Sequence, residues 1–181
     1  MSKEILRKKL IDLRKNYFAG QKISFLKFEK ILKKFYSKKK IFIGGYFPIN
    51  SEIGCLEILQ ELEKNKFKIS LPVIKENNSM DFYDCSFQEP LKVNKRGIPE
   101  PNLKKKVFPD VLIVPLVGFD KNKFRLGYGG GYYDRYINKV LNFKKVLTVG
   151  FAFSFQELKS IPVNKFDQKL DIILTDKKII K

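Results

Sequence analysis

Histidine is absent from this chain of 181 residues, and its absence narrows the chemistry that the chain can perform. Histidine is the usual general base near neutral pH, the central member of Ser-His-Asp triads and a common metal ligand. The sequence therefore excludes all three arrangements. Any reaction must rely on carboxylates, lysine, arginine, tyrosine and backbone amides.

Cysteine is nearly absent as well. The sequence contains only Cys55 and Cys85, so it is not a disulfide scaffold. The two cysteines also lack the close pairing that is typical of zinc and redox sites. We therefore expect two free, buried thiols in a reducing compartment.

Long apolar runs are missing too. No run reaches the roughly 20 residues that a membrane-spanning helix needs. Residues 1–15 place charged side chains among the apolar ones, which is unlike a signal peptide. We expect a cytoplasmic protein that does not use a membrane as a partner.

Acidic residues are few, since 19 Asp and Glu stand against 37 Lys and Arg, giving a formal net charge of +18. Such a charge favours nucleic acid, acidic membranes, or phosphorylated and polycarboxylate small molecules as partners. Lysine is also accompanied by many Ile, Asn, Phe and Tyr residues, the set that AT-rich codons encode together. The charge alone therefore decides little about function.

Apolar residues, by contrast, are plentiful. Hydrophobic residues make up 44% of the chain and aromatic residues 14%, which excludes a disordered protein. At this length a domain buries roughly 70% of the surface of its unfolded chain. A core can therefore form without disulfides or metal ions.

Apolar periodicity predicts helices that alternate with strands. Ser2 caps the first helix, whose apolar stripe is Ile5, Leu6, Leu10, Leu13 and Tyr17. Helices are predicted at residues 2–16, 24–36, 53–65 and 132–141, and strands at 41–43, 67–73, 80–82, 111–115, 146–151 and 172–175. The prolines at 97–101 exclude a helix there.

This alternation determines the expected fold class. Strands joined by helices form mainly parallel sheets through right-handed crossovers. We predict a single α/β domain over residues 1–181, with three α/β/α layers around a mainly parallel central sheet. Strand 111–115 is apolar throughout and is predicted to be covered on both faces.

One segment, residues 118–136, carries the candidate chemistry. Four glycines at positions 127, 129, 130 and 131 lie between a buried strand and a helix, where parallel sheets bind ligands. Successive bare amides at a helix start form an anion site. Arg125 can fork two hydrogen bonds onto phosphate, and Asp134 suits Mg²⁺. The segment lacks both the common phosphate-loop Lys-Ser/Thr and the third glycine of the dinucleotide fingerprint.

These residues resemble a known family. The run from Arg125 to Asp134, after Gly118-Phe119-Asp120, is similar to the signature of 5-formyltetrahydrofolate cyclo-ligase, also called 5,10-methenyltetrahydrofolate synthetase. The resemblance runs nearly end to end. Further similar segments are residues 3–7, Glu52-Ile53, Leu71-Pro72-Val73, 97–101, 110–115 and 164–171.

The resemblance implies an ATP- and Mg²⁺-dependent ring closure. Family members convert 5-formyltetrahydrofolate to 5,10-methenyltetrahydrofolate and release ADP and phosphate. The formyl oxygen attacks the γ-phosphate, N10 of the folate captures the resulting iminium carbon, and phosphate leaves. A site of this kind needs no histidine, because it mainly positions two ligands and neutralises charge.

The resemblance also implies site residues. Arg125 is the expected catalytic residue. Expected ATP contacts are Lys3, Glu4, Ile5, Leu6 and Arg7, followed by Arg125, Leu126, Gly127, Tyr128, Gly129, Gly130, Gly131, Tyr132 and Tyr133. Expected substrate contacts are Phe47, Glu52, Tyr128 and Tyr132. Asp134 and Asp167 are the expected metal ligands, with Asp171 as the alternative to Asp167.

Each of these assignments has a plainer alternative. Lys3 and Arg7 can simply solvate a helix face, and Glu52 can cap the helix that follows it. Some family members carry basic residues where Tyr128 and Gly130 stand here. Lys121, Lys123 or Arg135 can compensate for that missing charge.

Two other functions also fit parts of the sequence. Abundant Phe and Tyr with a charge of +18 are compatible with a nucleic-acid-binding module, and a phosphotransferase for another metabolite would share the ATP loop. We favour the ligase as a monomer, with ATP and 5-formyltetrahydrofolate as partners and no specific nucleic acid. The basic surface favours folate with a polyglutamate tail.

Overall fold

The described residues of the computed structural model are 1–17, 20–33, 41–76, 78–102 and 105–181. The helices are α1 (Lys3–Asn16), α2 (Phe25–Leu32), α3 (Leu56–Lys64) and α4 (Tyr132–Leu141). The strands are β1 (Phe42–Gly44), β2 (Lys68–Ile74), β3 (Met80–Cys85), β4 (Lys92–Val93), β5 (Pro99–Glu100), β6 (Lys106–Val107), β7 (Val111–Pro115), β8 (Gly118–Asp120), β9 (Arg125–Leu126), β10 (Leu147–Ala152), β11 (Glu157–Leu158), β12 (Ile172–Thr175) and β13 (Ile179–Ile180).

The central sheet has eight strands in the order β13-β12-β10-β7-β1-β2-β3-β6. The five inner strands, from β12 to β2, are parallel to one another. Antiparallel strands extend the sheet at both edges, β13 at one and β3 with β6 at the other. The predicted mainly parallel sheet is therefore confirmed.

Helices cover both faces of this sheet. Ile113 on β7 belongs to the core beneath α2 and α3, whereas its neighbours Leu112 and Val114 belong to the core beneath α4. Successive residues of a strand point to opposite faces, so β7 is buried on both, as predicted. The α/β/α layering is confirmed.

The helix starts follow local capping rules. Ser2 and Ser24 accept hydrogen bonds from backbone N–H groups in the first turns of α1 and α2. Helix α3 begins at Leu56, three residues later than the pattern predicts, after Cys55. The predicted end of the second helix, near Tyr36, lies outside the described residues.

The segment before the glycines is more ordered than the sequence pattern indicates. Residues 118–126 form an antiparallel hairpin of β8 and β9, and β11 joins it as a third strand. Asp120 closes the turn, because its Oδ1 accepts N–H bonds from Asn122 and Phe124 at 3.0 and 3.1 Å. The sequence pattern predicts no strand here; burial of Phe119 and Leu126 explains the hairpin.

Helix α1 packs on this small sheet through Leu6 and Leu10. The predicted stripe of α1 is wrong in part. Ile5 and Leu13 are 56% and 47% exposed, whereas Arg14 is only 1% exposed. The buried face is therefore Leu6, Leu10 and Arg14, at a spacing of four residues.

Neither cysteine forms a disulfide. Cys55 is buried and Cys85 half-buried, and both are free. Burial raises the pKa of each thiol to about 12, so both stay protonated near neutral pH and are poor nucleophiles. Among the described residues, no helix is both long and apolar enough to cross a bilayer.

The core between α3 and the sheet is testable by cavity formation. Leu59 is fully buried, so Leu59→Ala is expected to lower the free energy of unfolding by about 2–5 kcal/mol. Leu26→Ala on α2 is the matched control, since Leu26 is 66% exposed. Urea denaturation measures both variants. Equal losses would contradict this assignment of the core.

Candidate active site

A cleft of about 1190 Å³ opens at the carboxyl ends of β1, β2 and β7. Parallel sheets commonly bind ligands at this edge. The glycine loop, residues 127–131, forms one wall, and Glu52 lies in the same cleft. The loop expected to bind ATP and the carboxyl group expected to bind the folate therefore lie in one cleft.

The glycine loop exposes its backbone to the cleft. Gly129 and Gly131 have φ angles of +106° and +65°, which residues other than glycine rarely adopt. A Cβ atom on Gly127 would meet nothing within 4 Å, so the bare backbone at that position is not required by internal packing. Gly131 is the N-cap of α4 and supplies no side-chain cap. The loop thus directs a positive helix end into the cleft.

Helix α1 brings two cations to the loop. The Arg7 Nε donates to the carbonyl oxygen of Gly127 at 2.7 Å, and Lys3 Nζ lies 2.5 Å from Asp167 Oδ2. Both side chains line the cleft, so they do more than solvate a helix face. The neighbours Glu4, Ile5 and Leu6 do not line it; the first two are exposed and Leu6 packs in the core.

Arg125 lies at the base of the cleft beside two carboxylates. Its NH2 is 2.8 Å from Asp134 Oδ1, and its NH1 donates to the Gln168 carbonyl oxygen at 3.1 Å. Burial lowers the pKa of Arg125, while the charges of Asp134 and Asp167 oppose that shift. Arg125, Asp134 and Asp167 therefore form one charge cluster, in which Arg125 is buried and the two carboxylates are half-buried.

The two carboxylates have oxygens left for a ligand. Asp134 Oδ1 accepts from Arg125 and from the Gln168 N–H, and Asp167 Oδ2 accepts from Lys3 and the Asn164 N–H. Within the described ranges, their other oxygens have no hydrogen-bond partner. Mg²⁺ is usually held by one or two carboxylates plus substrate phosphates and water, and this pair fits that pattern.

The alternative metal ligand, Asp171, lies elsewhere. Its Oδ2 accepts two hydrogen bonds at 2.8 Å, from the backbone N–H and the hydroxyl of Thr148. Asp171 does not line the cleft, whereas Asp167 does. The geometry thus favours Asp167 over Asp171 as the partner of Asp134.

Glu52 lines the cleft beside Tyr128 and does not cap α3, which begins only at Leu56. Its Oε2 accepts the Ile49 N–H at 3.0 Å. Burial raises the pKa of Glu52 to about 7, although the Ile49 N–H, Arg14 and Tyr128 all favour its ionised form. The carboxyl group is therefore poised to change charge near neutral pH.

Several aromatic side chains accompany these charged groups. Phe47, Tyr128, Tyr132 and Tyr133 all line the cleft. The Tyr132 hydroxyl bonds to Arg96 and Asn78 at 2.9 and 3.1 Å. The buried Tyr133 hydroxyl has no partner among the described residues. These rings can hold a flat heterocycle between Glu52 and Arg125.

Three residues in or behind the cleft were not predicted as site residues. Arg96 lines the cleft at the β4–β5 turn, and Phe166 lines it at the rim with 68% exposure. Arg14 lies just behind the wall, with NH2 donating to the Tyr128 hydroxyl. Helical spacing from Leu6 and Leu10 was the available signal for Arg14. Arg96 and Phe166 had no local signal, because only the fold brings them to the cleft.

Tyr128 and Gly130 stand where some family members carry positive charge, and only one of the three residues expected to compensate for that charge lies in the cleft. Arg135 lines the cleft and donates to the Gly130 carbonyl oxygen, whereas Lys121 and Lys123 do not line it.

The positions of the aromatic residues do not favour the alternative function of nucleic-acid binding. Among the described aromatic residues only Tyr128, Phe143 and Phe166 are exposed, and two of these belong to the cleft.

Comparisons with known proteins point to one family. The 5-formyltetrahydrofolate cyclo-ligase of Haemophilus influenzae is 35% identical over 139 residues, covering 73% of this chain and 74% of that one. The 5,10-methenyltetrahydrofolate synthetase structure from Aquifex aeolicus has a TM-score of 0.78 and 31% identity, covering 100% and 93% of the two chains.

A second solved structure, of the 5,10-methenyltetrahydrofolate synthetase from Mycoplasma pneumoniae, has a TM-score of 0.73 and 25% identity, and covers 97% of this chain and 99% of that one. The sequence profile of the 5-formyltetrahydrofolate cyclo-ligase family matches residues 1–176. The match thus spans α1, the glycine loop and both carboxylates of the charge cluster. This chain belongs to the 5-formyltetrahydrofolate cyclo-ligase family.

Proposed function

We propose that this enzyme closes the ring of 5-formyltetrahydrofolate in an ATP- and Mg²⁺-dependent reaction that yields 5,10-methenyltetrahydrofolate, ADP and phosphate. One observation carries the proposal. A single cleft holds an anion-binding glycine loop together with the carboxyl group of Glu52 and several aromatic rings. That arrangement suits a triphosphate and a pterin bound side by side.

The triphosphate would occupy the end formed by α1 and the glycine loop. Lys3 and Arg7 lie there, and the first turn of α4 supplies backbone N–H groups without a side-chain cap. Amides and cations of this kind stabilise phosphate oxygens. ATP contacts by Glu4, Ile5 and Leu6 have no support from their positions.

The folate would occupy the end formed by Glu52. Pterins present several N–H donors on one edge, and a carboxylate with a free oxygen accepts such donors. Phe47, Tyr128 and Tyr132 offer apolar surface beside it. This placement directs the formyl group of the substrate toward the glycine loop.

The protein would contribute positioning and charge neutralisation. The formyl oxygen forms a bond to the γ-phosphorus while the bond to ADP breaks. N10 then attacks the activated carbon and loses its proton, and the carbon–oxygen bond breaks to release phosphate. Arg125 would neutralise the charge that develops on the phosphoryl group. Both nucleophiles come from the substrate, which suits a chain without histidine.

Asp134 and Asp167 would hold the magnesium ion together with phosphate oxygens. The bound ion supplies charge neutralisation on the nucleotide. Neighbouring residues of the protein would orient the two carboxylates that hold the ion. Lys3 orients Asp167, and Arg125 with the Gln168 N–H orients Asp134.

The proposed reaction is tested directly with the purified protein. Because ring closure creates a conjugated methenyl bridge, 5-formyltetrahydrofolate with ATP and Mg²⁺ is expected to give the absorbance of the methenyl product. Samples without ATP, or with chelator in place of Mg²⁺, are expected to give none. A folded sample that produces no ATP-dependent signal contradicts the proposal.

Removal of the Arg125 guanidinium is expected to reduce turnover. Arg125→Ala removes a donor to the transferred phosphoryl group, so kcat should fall by about 10²–10³. Steady-state kinetics measure the change, and circular dichroism establishes that the variant is folded. Arg125→Lys keeps the charge but loses the forked geometry, so its kcat should lie between those of the wild type and Arg125→Ala. An unchanged kcat in folded Arg125→Ala would refute the role.

The ionisation of Glu52 should control folate affinity. Its pKa is raised to about 7, so the carboxylate is present above that pH and lost below it. KM for 5-formyltetrahydrofolate is therefore expected to fall as pH rises through about 7, while KM for ATP follows no such step.

The matched variant is Glu52→Gln, which keeps the size of the side chain but cannot ionise. It is expected to have a higher KM for the folate and no step near pH 7. Initial rates at varied folate concentration, on both sides of pH 7, give these values. A step that persists unchanged in Glu52→Gln would assign it to another group.

A further inference from the structure

Arg14 is a fully buried cation that the proposed reaction does not use. It is 1% exposed and lies on α1, where the other buried residues are Leu6 and Leu10. Burying a guanidinium is costly unless its charge and its N–H groups are compensated. The contacts of Arg14 therefore indicate what its burial achieves.

Those contacts lead to one side chain of the cleft. Arg14 NH2 donates to the Tyr128 hydroxyl, and the guanidinium carbon is 5.6 Å from the centre of the Tyr128 ring. Arg14 NH1 donates to the Leu116 carbonyl oxygen at 3.4 Å. The Nε is buried and has no hydrogen-bond partner in the described part of the chain.

The charge of Arg14 acts on Glu52. Among the described residues, Arg14 forms no ion pair at contact distance. Its positive charge nevertheless lowers the pKa of Glu52, and the Tyr128 side chain adds to that effect. Arg14 and Tyr128 together therefore favour the ionised carboxylate against the cost of burial.

The hydrogen-bond directions reinforce this link. A guanidinium can only donate, so the Tyr128 oxygen must act as the acceptor toward Arg14. Asn50 also bonds the Tyr128 side chain. The single hydroxyl proton of Tyr128 is then left for an acceptor, and Glu52 is the acceptor beside it.

The other titratable groups around Glu52 do not replace Arg14. Tyr46 follows β1, Cys55 precedes α3 and Tyr133 lies on α4, and each of them interacts electrostatically with Glu52. Burial raises the pKa of all three, so they are neutral near pH 7. Arg14 is the cation that acts on Glu52 among the described residues.

We propose that Arg14 is a positioning residue for the folate: from behind the cleft wall it holds the Tyr128 hydroxyl toward Glu52 and compensates the charge of that carboxylate. The residue would thereby prepare Glu52 to accept N–H donors from a heterocycle. This inference rests on the proposed function, because it assigns Glu52 to the pterin.

The first test is the kinetics of Arg14→Met, which removes the charge and keeps the aliphatic length. KM for 5-formyltetrahydrofolate is expected to rise about tenfold or more, as for loss of a charge-assisted hydrogen bond. KM for ATP should stay within about twofold, and the pH step in the folate KM should move upward. Arg14→Lys should restore part of the affinity. Lys8→Met, an exposed cation on the same helix, is the control and should change nothing.

A second variant tests the route through Tyr128. Tyr128→Phe removes the hydroxyl from a half-exposed ring and is expected to raise the folate KM in the same way. If Arg14 acts through Tyr128, the double variant should raise KM by less than the product of the single effects. The Tyr128→Phe measurement stands even if Arg14→Met fails to fold, whereas the double variant requires that both substitutions are tolerated.

Failure of this inference is distinguishable from failure of the proposed function. Wild-type turnover tests the reaction. A ¹³C NMR titration of the Glu52 carboxyl, assigned with Glu52→Gln, needs no turnover and should show a higher midpoint in Arg14→Met or Tyr128→Phe. An unmoved midpoint overturns the inference. An unchanged folate KM, or equal rises in both KM values, also overturns it.

Discussion

The packing of helix α1 against the small sheet of β8, β9 and β11 is the constraint on which the cleft depends. Leu10 sits so close to Gly118 that a Cβ atom there would lie 2.6 Å from its Cδ1. This contact holds α1 along the start of the glycine loop, where Arg7 bonds the Gly127 carbonyl oxygen. Because one face of α1 is apolar and the adjoining edge is basic, burial of Leu6 and Leu10 also delivers the cations.

Three pairs of opposite charges in or behind the cleft are already matched before a ligand binds. Lys3 is paired with Asp167 and Arg125 with Asp134, while Arg14 compensates Glu52 from behind the wall. A balanced set avoids the cost of isolated buried charges before a ligand arrives. Arg7, Arg96 and Arg135 also line the cleft and form no ion pair among the described residues, so an anion would meet them together with the backbone amides of the glycine loop. The free carboxylate oxygens remain as the groups that a cation meets.

Local patterns predicted much of the fold. The β-branched run at 111–115, the serine cap at Ser2, and the glycines at 127–131 all indicated their elements correctly. The hairpin at 118–126 was missed, because its two strands are too short to show periodicity and are stabilised by burial against α1. The predicted stripe of α1 was wrong at Ile5 and Leu13, because hydrophobicity alone favoured these residues, whereas packing behind the cleft wall buries Arg14.

Composition and order along the chain were enough to exclude histidine chemistry, to predict layered α/β architecture, and to locate the glycine loop with Arg125 and Asp134 beside it. Those features depend on residue type and on near neighbours. Tertiary structure alone separated Asp167 from Asp171, brought Arg96 and Phe166 to the cleft, and set Arg14 behind Glu52. Each of these depends on groups distant in sequence, since burial, charge and hydrogen bonding act through space and not along the chain.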